Sequence, residues 1–396
     1  MIKALTENVL PTILRILTLF ISKKKNLILF GAFQGNSFGD NSGALYKYYI
    51  SKDKGEFRCI WLTNYPETVN YVRGLGGEAF LKTSLQGLWF SLRASSIVSS
   101  HSYQDVLLYK PISRRPKELY LHHGVPIRKA RIDKINNEGL RNESLYSEHA
   151  KSITYMVSTS TWSAARQGEL VPVKSSQCKV DGYPRNDIFF QSNNLELDSF
   201  KKEYEAFEFK ILYAPTWRKY AAVRFFPFQD FNLLKLVHFL RKEKMCIFLK
   251  PHSTDMRRQM NNKFWDDIQG YQDVLKIVSR NKVYSDIQTM MLISDCLVTD
   301  YSSIHYDYLL LDRPIIYLPY DKDEYANKMG EFNCDYEEFT PGPKPRSQEE
   351  FLNYLELFEK NKDDFSKKRE RIKGVIHKYK DGESCQRVYK TLLEML

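Results

Sequence analysis

Residues 295–320, DCLVTDYSSIHYDYLLLDRPIIYLPY, constrain the fold more than any other stretch of the chain. Their pattern predicts a strand at Cys296–Thr299, a turn rich in hydroxyl groups, a helix over 304–311 and a second strand. Where a helix opens off a strand in this way, its free N–H groups and the positive end of its dipole favour a bound phosphate. The alternative is that Ser302 and Ser303 only cap the helix.

The same alternation of short apolar runs and helical segments extends over most of the chain. Strands are predicted at residues 27–30, 57–62, 96–99, 118–121, 154–157, 178–181, 210–213, 245–249, 274–278, 296–299 and 315–318. This rhythm is typical of βαβ units and parallel sheets, and 396 residues exceed what one hydrophobic core usually serves. The sequence therefore predicts an α/β protein with two doubly wound domains facing a central cleft, where ligands bind at the carboxyl ends of the strands.

A polar, acidic stretch at residues 191–207 separates the two halves and marks the predicted linker. We expect a first domain over 26–195 and a second over 196–345. Residues 346–396 have the pattern of helices with one charged face, which could pack back on the first domain. The glycine-rich loop at 31–43 lacks the G-x-G-x-x-G spacing, so it is not a dinucleotide-binding fingerprint.

Residues 1–25 form a separate N-terminal segment. Its apolar run at 9–21 is shorter than the roughly 20 residues that a bilayer span needs, and it lacks the small-residue cleavage site of a secretory signal. With Arg15 and the lysine triplet at 23–25, the run fits an amphipathic helix that lies in a membrane interface. An ordinary helix that packs against the domain explains the pattern equally well.

The formal net charge of +11 indicates an anionic partner, which could be nucleic acid, an anionic lipid surface or a phosphorylated substrate. Charge by itself does not choose among these three. The six Cys residues are scattered, with no C-x-x-C pair and no His at metal-ligand spacing. This arrangement is typical of reduced thiols in a cytosolic chain, so we expect neither disulfides nor zinc.

Polar clusters follow five of the predicted strands, at the edge where an open α/β sheet binds its ligands. A His followed by Gly at such an edge is exposed and can take a proton near neutral pH. Each cluster also has a structural explanation when taken alone, such as a buried His or a proline turn beside an Arg. The clusters are HHGVPIRK at 122–129, GYPRND at 182–187, YAPTWR at 213–218, KPH at 250–252 and DYSS at 300–303.

The sequence Asp321-Lys322-Asp323 has the D-x-D spacing that can hold a metal ion. It lies among charged residues directly after a strand, which is typical of a solvated turn. We therefore predict no metal site here, and we expect no cofactor elsewhere.

Six motifs in this order resemble the CDP-glycerol glycerophosphotransferase family of teichoic acid and capsule synthesis. They are HHGVPIRK, GYPRND, LYAPTWR, KPH, TDYSSIHYDYLLLDRPIIYLPYDKDEY and CDYEEFTPGP, and they extend from residue 120 to residue 345. The region before residue 99 resembles the family only in its βα character. The resemblance implies a GT-B-like fold with two Rossmann-like domains, the acceptor bound by the first and CDP-glycerol by the second.

The resemblance also implies roles for individual residues. His123, the His directly before Gly, would be the general base on an acceptor hydroxyl that attacks the phosphate bearing the glycerol, and CMP leaves. His252 is likewise implied in catalysis, through its contact with the donor phosphates. The residues implied to bind substrate are Arg218, Lys250, His252, Asp300, Ser302 and Ser303 for the donor, with Arg185 and Thr216 as further candidates.

Two features depart from the family pattern. The motif carries a doubled His122-His123, and alternation at a strand end predicts that one of these two rings points away from the cleft. Ser253 stands where a Pro is expected after His252, which predicts a looser turn there.

The leading interpretation is a peripheral enzyme on the cytoplasmic face of the membrane that transfers glycerol phosphate to a polyprenyl-diphosphate-linked saccharide. It could be a primase or a compact polymerase. A CDP-ribitol transferase, with a similar nucleotide site, and a GT-B transferase that uses a nucleotide sugar remain open. The non-enzymatic alternative is a basic nucleic-acid or membrane-binding protein, although we expect no nucleic-acid partner.

Overall fold

The computed structural model describes residues 10–52, 57–109, 115–129, 149–191, 201–251, 263–278 and 287–396. The chain forms two compact units. Unit 1 comprises the described residues of Met1–Val125, Ile132–Phe190 and His377–Leu396, and unit 2 comprises those of Pro126–Arg131 and Gln191–Ile376. The chain therefore passes from unit 1 to unit 2 inside the HHGVPIRK motif.

A parallel sheet forms the centre of unit 1. Its helices and strands are α1 Leu10–Leu17, β1 Lys24–Phe30, α2 Asp40–Ser51, β2 Arg58–Thr63, α3 Pro66–Gly74, β3 Glu78–Leu81, α4 Leu85–Arg93, β4 Ala94–Ser99, β5 Lys117–Tyr120, β6 Ile153–Ser158, α5 Thr161–Leu170 and β7 Cys178–Val180. The strand order in the described residues is β3-β2-β1-β4-β5-β6-β7, and all the pairings are parallel.

Unit 2 is built around a second parallel sheet. Its elements are β8 Phe209–Tyr213, α6 Leu233–Lys242, β9 Met245–Leu249, α7 Lys263–Asp267, β10 Leu275–Ile277, α8 Ile287–Ile293, β11 Cys296–Thr299, α9 Ile304–Tyr308, β12 Ile315–Tyr317, α10 Lys322–Met329, α11 Tyr336–Phe339, α12 Gln348–Glu359 and α13 Ser366–Ile376. The strand order in the described residues is β10-β9-β8-β11-β12, again with parallel pairings only.

Continuous apolar runs form the central strands because helices cover both faces of a parallel sheet. Consecutive residues from Leu27 to Phe30 in β1 are all buried, and β9 and β11 are buried along their whole lengths. Leu29, Ile60 and Ile97 of three neighbouring strands meet in one core cluster of unit 1. The apolar pattern that identified the strands is therefore also the pattern that builds the two cores.

Each sheet contains a point where the strand order reverses. In unit 1 this point lies between β1 and β4, and in unit 2 it lies between β8 and β11. Loops that leave the carboxyl ends of such strands diverge to opposite faces and open a crevice in which α/β proteins bind ligands. We therefore expect a ligand site among the residues that follow β1 and β4 in unit 1 and β8 and β11 in unit 2.

Every predicted strand overlaps an observed strand, but three elements differ from the prediction. Strand β3 was not predicted, because EAFL is a short edge strand that pairs only with β2 in the described residues. Helix α2 begins at Asp40, inside the predicted loop over 31–43. The helix expected over 304–311 is a five-residue α-helix, α9, followed by a 3-10 turn at Leu309–Leu311.

The C-terminal residues 346–396, which we expected to form one group, divide between the two units. Helices α12 and α13 belong to unit 2, whereas the last helix, α14 at Ser384–Met395, belongs to unit 1. The Asp187 carboxylate of the GYPRND motif accepts the N–H groups of Ser384 and Cys385 at 2.9 and 2.7 Å. A carboxylate at this position satisfies free N–H groups of α14 and fixes its start.

Among the described side chains of α1, Leu14 packs into the rest of unit 1 and several others are exposed. Leu14 is buried in a cluster with Leu92 and Tyr109. Ile13, Ile16, Leu17, Leu19 and Phe20 are exposed. Among the described residues, we find no helix that is long and apolar enough to cross a membrane.

Candidate active site

Three imidazole rings stack at the carboxyl edge of the unit 1 sheet. His101 follows β4, and His122 and His123 follow β5. The His123 ring lies between the other two, with centroids 4.6 Å from His101 and 4.9 Å from His122 and interplanar angles of 9° and 5°. Of the two neighbouring histidines in the motif, His122 is buried and His123 is exposed. His123 is therefore the ring that a substrate can reach.

The stacking of His122 and His123 contradicts the expectation that strand alternation turns one of the two rings away. His122 has a positive φ of 58°, so the extended geometry that alternates side chains has already ended at this residue. The carbonyl oxygen of His122 accepts a hydrogen bond from Asn41 Nδ2 at 2.8 Å. The turn that brings both rings to the same side is thus held by a buried side chain of α2.

Two aspartates flank the outer imidazole of the stack. His101 Nε2 lies 3.7 Å from Asp40 Oδ2, and His101 Nδ1 lies 3.6 Å from Asp105 Oδ2. Burial alone would lower the pKa of His101, but the two carboxylates outweigh burial and raise that pKa. His101 therefore stays positively charged over a wider pH range than a free imidazole.

The charge on His101 affects the central ring. Crowding by protein atoms lowers the pKa of His123 below its ordinary value, and the positive charges of His101 and Arg185 act in the same direction. The carboxylates of Asp40 and Asp105 act in the opposite direction, but the net effect still lowers the pKa of His123. Because the residue remains exposed to solvent, water moderates the effect of crowding. His123 is therefore neutral at neutral pH and able to accept a proton.

A loop with an unusual backbone brings Asp40 to this site. Phe33, Gln34 and Asp40 have positive φ angles of 52°, 57° and 56°, a conformation that costs a non-glycine residue about 1–3 kcal/mol. The buried carboxylate of Asp105 accepts the Gln34 N–H at 2.7 Å and the His101 N–H at 2.7 Å. Asp105 thus fixes both the loop and the backbone that carries His101.

Arg185 of the GYPRND motif supports the same turn from a third element. Its Nη1 donates to Asp40 Oδ1 and to the carbonyl oxygen of His123, each at 2.8 Å. Only 9% of its side chain is exposed. We predicted a substrate contact for Arg185, and the structure places it behind the His123 turn, where it holds Asp40 and the His123 backbone.

In unit 2, the Arg218 guanidinium joins the ends of three neighbouring strands. It follows β8 and binds Asp321, after β12, through Nε and Nη2 at 2.7 Å each. Its Nη1 lies 2.8 Å from Oδ2 of Asp300, which follows β11. The side chain is fully buried and its guanidinium lies 4.7 Å from the ring centroid of Tyr320 and 5.4 Å from that of Tyr301. Bidentate pairing and ring stacking are interactions that favour Arg over Lys.

These contacts bear on two expectations. Arg218 was expected to touch the donor phosphates, and this stays a prediction; in this structure two carboxylates and the surrounding tyrosines enclose its guanidinium. The second expectation, a solvated turn at Asp321, is wrong. Only 9% of the Asp321 side chain is exposed, and it also accepts the hydroxyls of Tyr220 and Tyr301 at 2.8 and 3.0 Å. The D-x-D spacing concealed a buried ion pair because its partner lies about a hundred residues earlier.

Asp300 shapes the turn that leads into α9. Its Oδ1 accepts the N–H of Thr216 at 2.8 Å and that of Tyr301 at 2.6 Å. Ser302 and Ser303 follow and are half-buried. Within the described residues, the Ser303 side chain makes no capping hydrogen bond, and Ser302 Oγ accepts only a long one, 3.4 Å, from Ile304 N–H. Helix capping therefore does not account for these two hydroxyls.

Thr216 and Lys250 are two further predicted contacts of the donor. Thr216 lies beside the turn, and its Oγ1 is buried without a hydrogen-bond partner in the described part of the chain. Lys250 follows β9, is half-buried, and donates its backbone N–H to Tyr213 O at 2.9 Å. His252 and Ser253 lie outside the described residues. In the residues that are described, no group of His, Cys, Asp or Glu has the arrangement of a metal site.

Sequence reasoning missed three residues of the unit 1 site: Asp40, His101 and Asp105. His101 follows β4 just as His123 follows β5, so the strand-end argument that selected His123 also applies to it. Asp40 and Asp105 carry no such signal, because their roles depend on a loop backbone and on a buried hydrogen-bond network.

We predict that Arg218→Met destabilises unit 2, because Asp300 and Asp321 then remain buried without a cation. Removal of one partner of a buried ion pair costs about 3–5 kcal/mol. The matched control is Arg241→Met, which removes an exposed pair with Asp273 and should cost about 0–1 kcal/mol. Urea unfolding measures both free energies, and equal losses in the two variants would contradict the role given to Arg218.

Comparison with known proteins matches almost the whole chain to one family. The profile of the family described as CDP-Glycerol:Poly(glycerophosphate) glycerophosphotransferase matches residues 13–394. A teichoic acid glycerol-phosphate transferase of Staphylococcus aureus is 29% identical, covering 99% of this chain and 99% of that protein. A teichoic acid poly(glycerol phosphate) polymerase of Bacillus spizizenii is 25% identical, covering 99% of this chain and 98% of that protein.

A solved structure supports the fold independently. The wall teichoic acid polymerase TagF superposes with a TM-score of 0.80 at 22% identity, over 99% of this chain and 96% of that one. At this identity the likeness shows the fold alone, and it confirms the predicted α/β, GT-B-like class. The family profile confirms the resemblance inferred from the six motifs. The chain belongs to the CDP-glycerol:poly(glycerophosphate) glycerophosphotransferase family.

Proposed function

We propose that this protein transfers glycerol phosphate from CDP-glycerol to a hydroxyl of a polyprenyl-diphosphate-linked saccharide and releases CMP, as a step of teichoic acid synthesis. The observation that carries the proposal is the exposed His123 imidazole, which stacks between His122 and a His101 that two aspartates flank. Family membership supports the same reaction class, and the two full-length relatives are named for glycerol phosphate transfer.

His123 acts as the general base in this proposal. Its imidazole takes the proton of the acceptor hydroxyl while the hydroxyl oxygen bonds to the phosphorus that bears the glycerol. The bond from that phosphorus to the CMP oxygen breaks, and CMP leaves with the electron pair. A positioned base contributes about 10²–10⁴-fold to such a step, and the remainder comes from positioning and from charge stabilisation around the phosphoryl group.

Unit 2 holds the donor in this proposal. The hydroxyls and N–H groups of the Ser302–Ser303 turn bind the pyrophosphate, and Asp300 fixes the turn through the Tyr301 N–H. Because α9 has only five residues, it lacks the dipole of a long helix. The hydroxyls and the N–H groups of the turn therefore provide the binding to the pyrophosphate. The buried Thr216 hydroxyl is a further donor contact, and Lys250 and His252 supply cations near the phosphates.

The proposal places the protein on an anionic membrane surface. Helix α1 packs on α4 through Leu14 and Leu92, which share one buried cluster. Both helices also expose apolar side chains, Ile13, Ile16 and Leu17 on α1 and Leu85 and Trp89 on α4. Arg15, Lys24 and Lys25 are exposed on and after α1. Apolar side chains flanked by cations are the composition that binds an anionic lipid interface.

We predict that His123→Ala lowers the rate of CMP release at saturating CDP-glycerol by about 10²–10⁴-fold, because the general base is lost. His252→Ala should also lower the rate, through the donor phosphates. His238→Ala is the matched control, since His238 is exposed on α6, and should leave the rate unchanged. Near-normal rates in both site variants would defeat the mechanism.

Parallel assays with CDP-ribitol identify the polyol, and product length distinguishes primase from polymerase.

We predict that the acid limb of kcat/KM lies below the ordinary imidazole pKa, because His123 must be neutral to act and its pKa is lowered. His101→Gln removes a positive charge that lowers the pKa of His123, so the acid limb should move to higher pH. His238→Gln should leave the profile in place. A His101→Gln profile that coincides with wild type, or moves to lower pH, would show that His101 does not tune the base.

We predict that the double variant Ile16→Ser/Phe20→Ser binds anionic vesicles at least about 10-fold more weakly than wild type, because burial of each apolar side chain contributes about 1.5–3 kcal/mol. Leu234→Ser is the control, since Leu234 is 65% exposed on α6 of unit 2. Vesicle sedimentation measures the partition. Equal binding of the double variant and wild type would exclude α1 from the membrane-binding surface.

A further inference from the structure

Residues 126–129, the second half of the HHGVPIRK motif, have no role in the proposed reaction. These residues, here called the strap, belong to unit 2, although the preceding His123 turn belongs to unit 1. Within unit 2, the strap lies along the residues that follow α10. Arg128 forms an antiparallel bridge with Phe332, and the Lys129 N–H donates to Glu331 O at 2.8 Å.

Asn333 makes three hydrogen bonds to the strap backbone. Its N–H donates to Ile127 O at 3.1 Å, and its Nδ2 donates to Pro126 O at 2.9 Å and to Arg128 O at 3.4 Å. One side-chain amide therefore fixes two carbonyls of a segment only four residues long. Without that amide, these two carbonyls lose its hydrogen bonds and bond to water instead, so the strap is held less firmly.

The strap also contacts the cluster of aromatic residues beneath the proposed donor turn. The Arg128 guanidinium lies 5.5 Å from the Tyr325 ring centroid, and Tyr325 stacks on Tyr301 with centroids 4.1 Å apart. Phe332, the bridge partner of Arg128, lies 5.7 Å from Tyr301. Tyr301 directly precedes Ser302 and Ser303. Through Tyr325 and Phe332, the strap is therefore linked to the residue that begins the proposed phosphate-binding turn.

We infer that Asn333 is a positioning residue for the transfer reaction: by holding the strap, it fixes the backbone from which the His123 imidazole projects. Gly124 and Val125 alone separate His123 from Pro126, and His123 precedes a Gly with φ of 155° that supplies no stiffness of its own. The strap supplies that stiffness on the C-terminal side, as Arg185 and Asn41 do within unit 1. This inference rests on the proposed role of His123 as base.

The kinetic test compares Asn333→Ala with wild type at saturating substrates. We expect kcat to fall about 10-fold, since small misplacement of a reacting group costs up to about 10²-fold, while the dissociation constant of CDP-glycerol stays within about twofold. Asn333→Gln, which keeps an amide donor, should recover part of the rate. Asn327→Ala is the matched control because Asn327 is exposed on α10, and it should behave as wild type.

Pro126→Gly loosens the backbone at the N-terminal end of the strap and keeps every carbonyl that Asn333 binds. If both variants act through the strap, Asn333→Ala/Pro126→Gly should lose little more rate than either single variant, because coupled sites are not additive. Fully additive losses would overturn the inference. So would an Asn333→Ala enzyme in which kcat is unchanged or in which donor affinity alone falls.

A second measurement does not depend on turnover. In protein labelled with ¹³C at histidine Cε1, the His123 resonance is identified by its absence in His123→Ala. Asn333→Ala should shift or broaden this resonance, and Asn327→Ala should not. An unchanged His123 resonance in Asn333→Ala would overturn the positioning role whatever the substrate is. Failure of the wild-type protein to release CMP from CDP-glycerol would instead overturn the proposed function and leave the resonance test of the strap intact.

Discussion

The ion pairs of Arg218 with Asp300 and Asp321 hold the proposed donor site of unit 2 together. Each partner follows a different strand, β8, β11 or β12, so one buried guanidinium fixes the relative positions of three loops. Burial of three charges is expensive unless every charge is paired and hydrogen-bonded, and here Tyr220 and Tyr301 complete the shell around Asp321. The same Asp300 carboxylate receives the N–H groups of Thr216 and Tyr301. The proposed phosphate-binding turn is therefore held in place by Asp300 and its ion pair with Arg218, which the substrate does not need to touch.

Unit 1 uses buried charge for a different purpose. Asp40 and Asp105 are matched by His101 and Arg185, so the set is close to neutral and His123 can stay uncharged beside it. The stack fixes the orientation of the His123 ring, and crowding by protein atoms together with the charge on His101 lowers the pKa of His123. A neutral imidazole at neutral pH is the protonation state that a general base requires. In both units, buried residues beside the proposed site fix the positions of its exposed groups, and in unit 1 they also affect the pKa of His123.

The sequence allowed prediction of the strands other than β3, of the parallel sheets and of the exposed histidine, because all three depend on local pattern. Apolar runs such as MCIFL specify buried strands wherever they occur, and a His-Gly pair after a strand specifies an accessible imidazole. The roles of Arg218, Asp321 and Asp105 could not be predicted in the same way. Each depends on a partner that is distant in the sequence or on a backbone conformation, such as the positive φ of Asp40, that has no reliable signature in residue type. For the same reason the division of the chain within HHGVPIRK was not visible before the contacts of Asn333 were known.

The most direct test of this account is a crystal structure of the protein with CDP-glycerol bound. The account predicts that the pyrophosphate lies on the Ser302–Ser303 turn, within hydrogen-bond distance of its hydroxyls or N–H groups, and that Arg218 keeps its contacts with Asp300 and Asp321. Two results would contradict it. One is a pyrophosphate bound by an Arg218 that has left both carboxylates, which would make this residue a ligand rather than a support. The other is a donor bound away from the turn, which would remove the proposed phosphate site altogether.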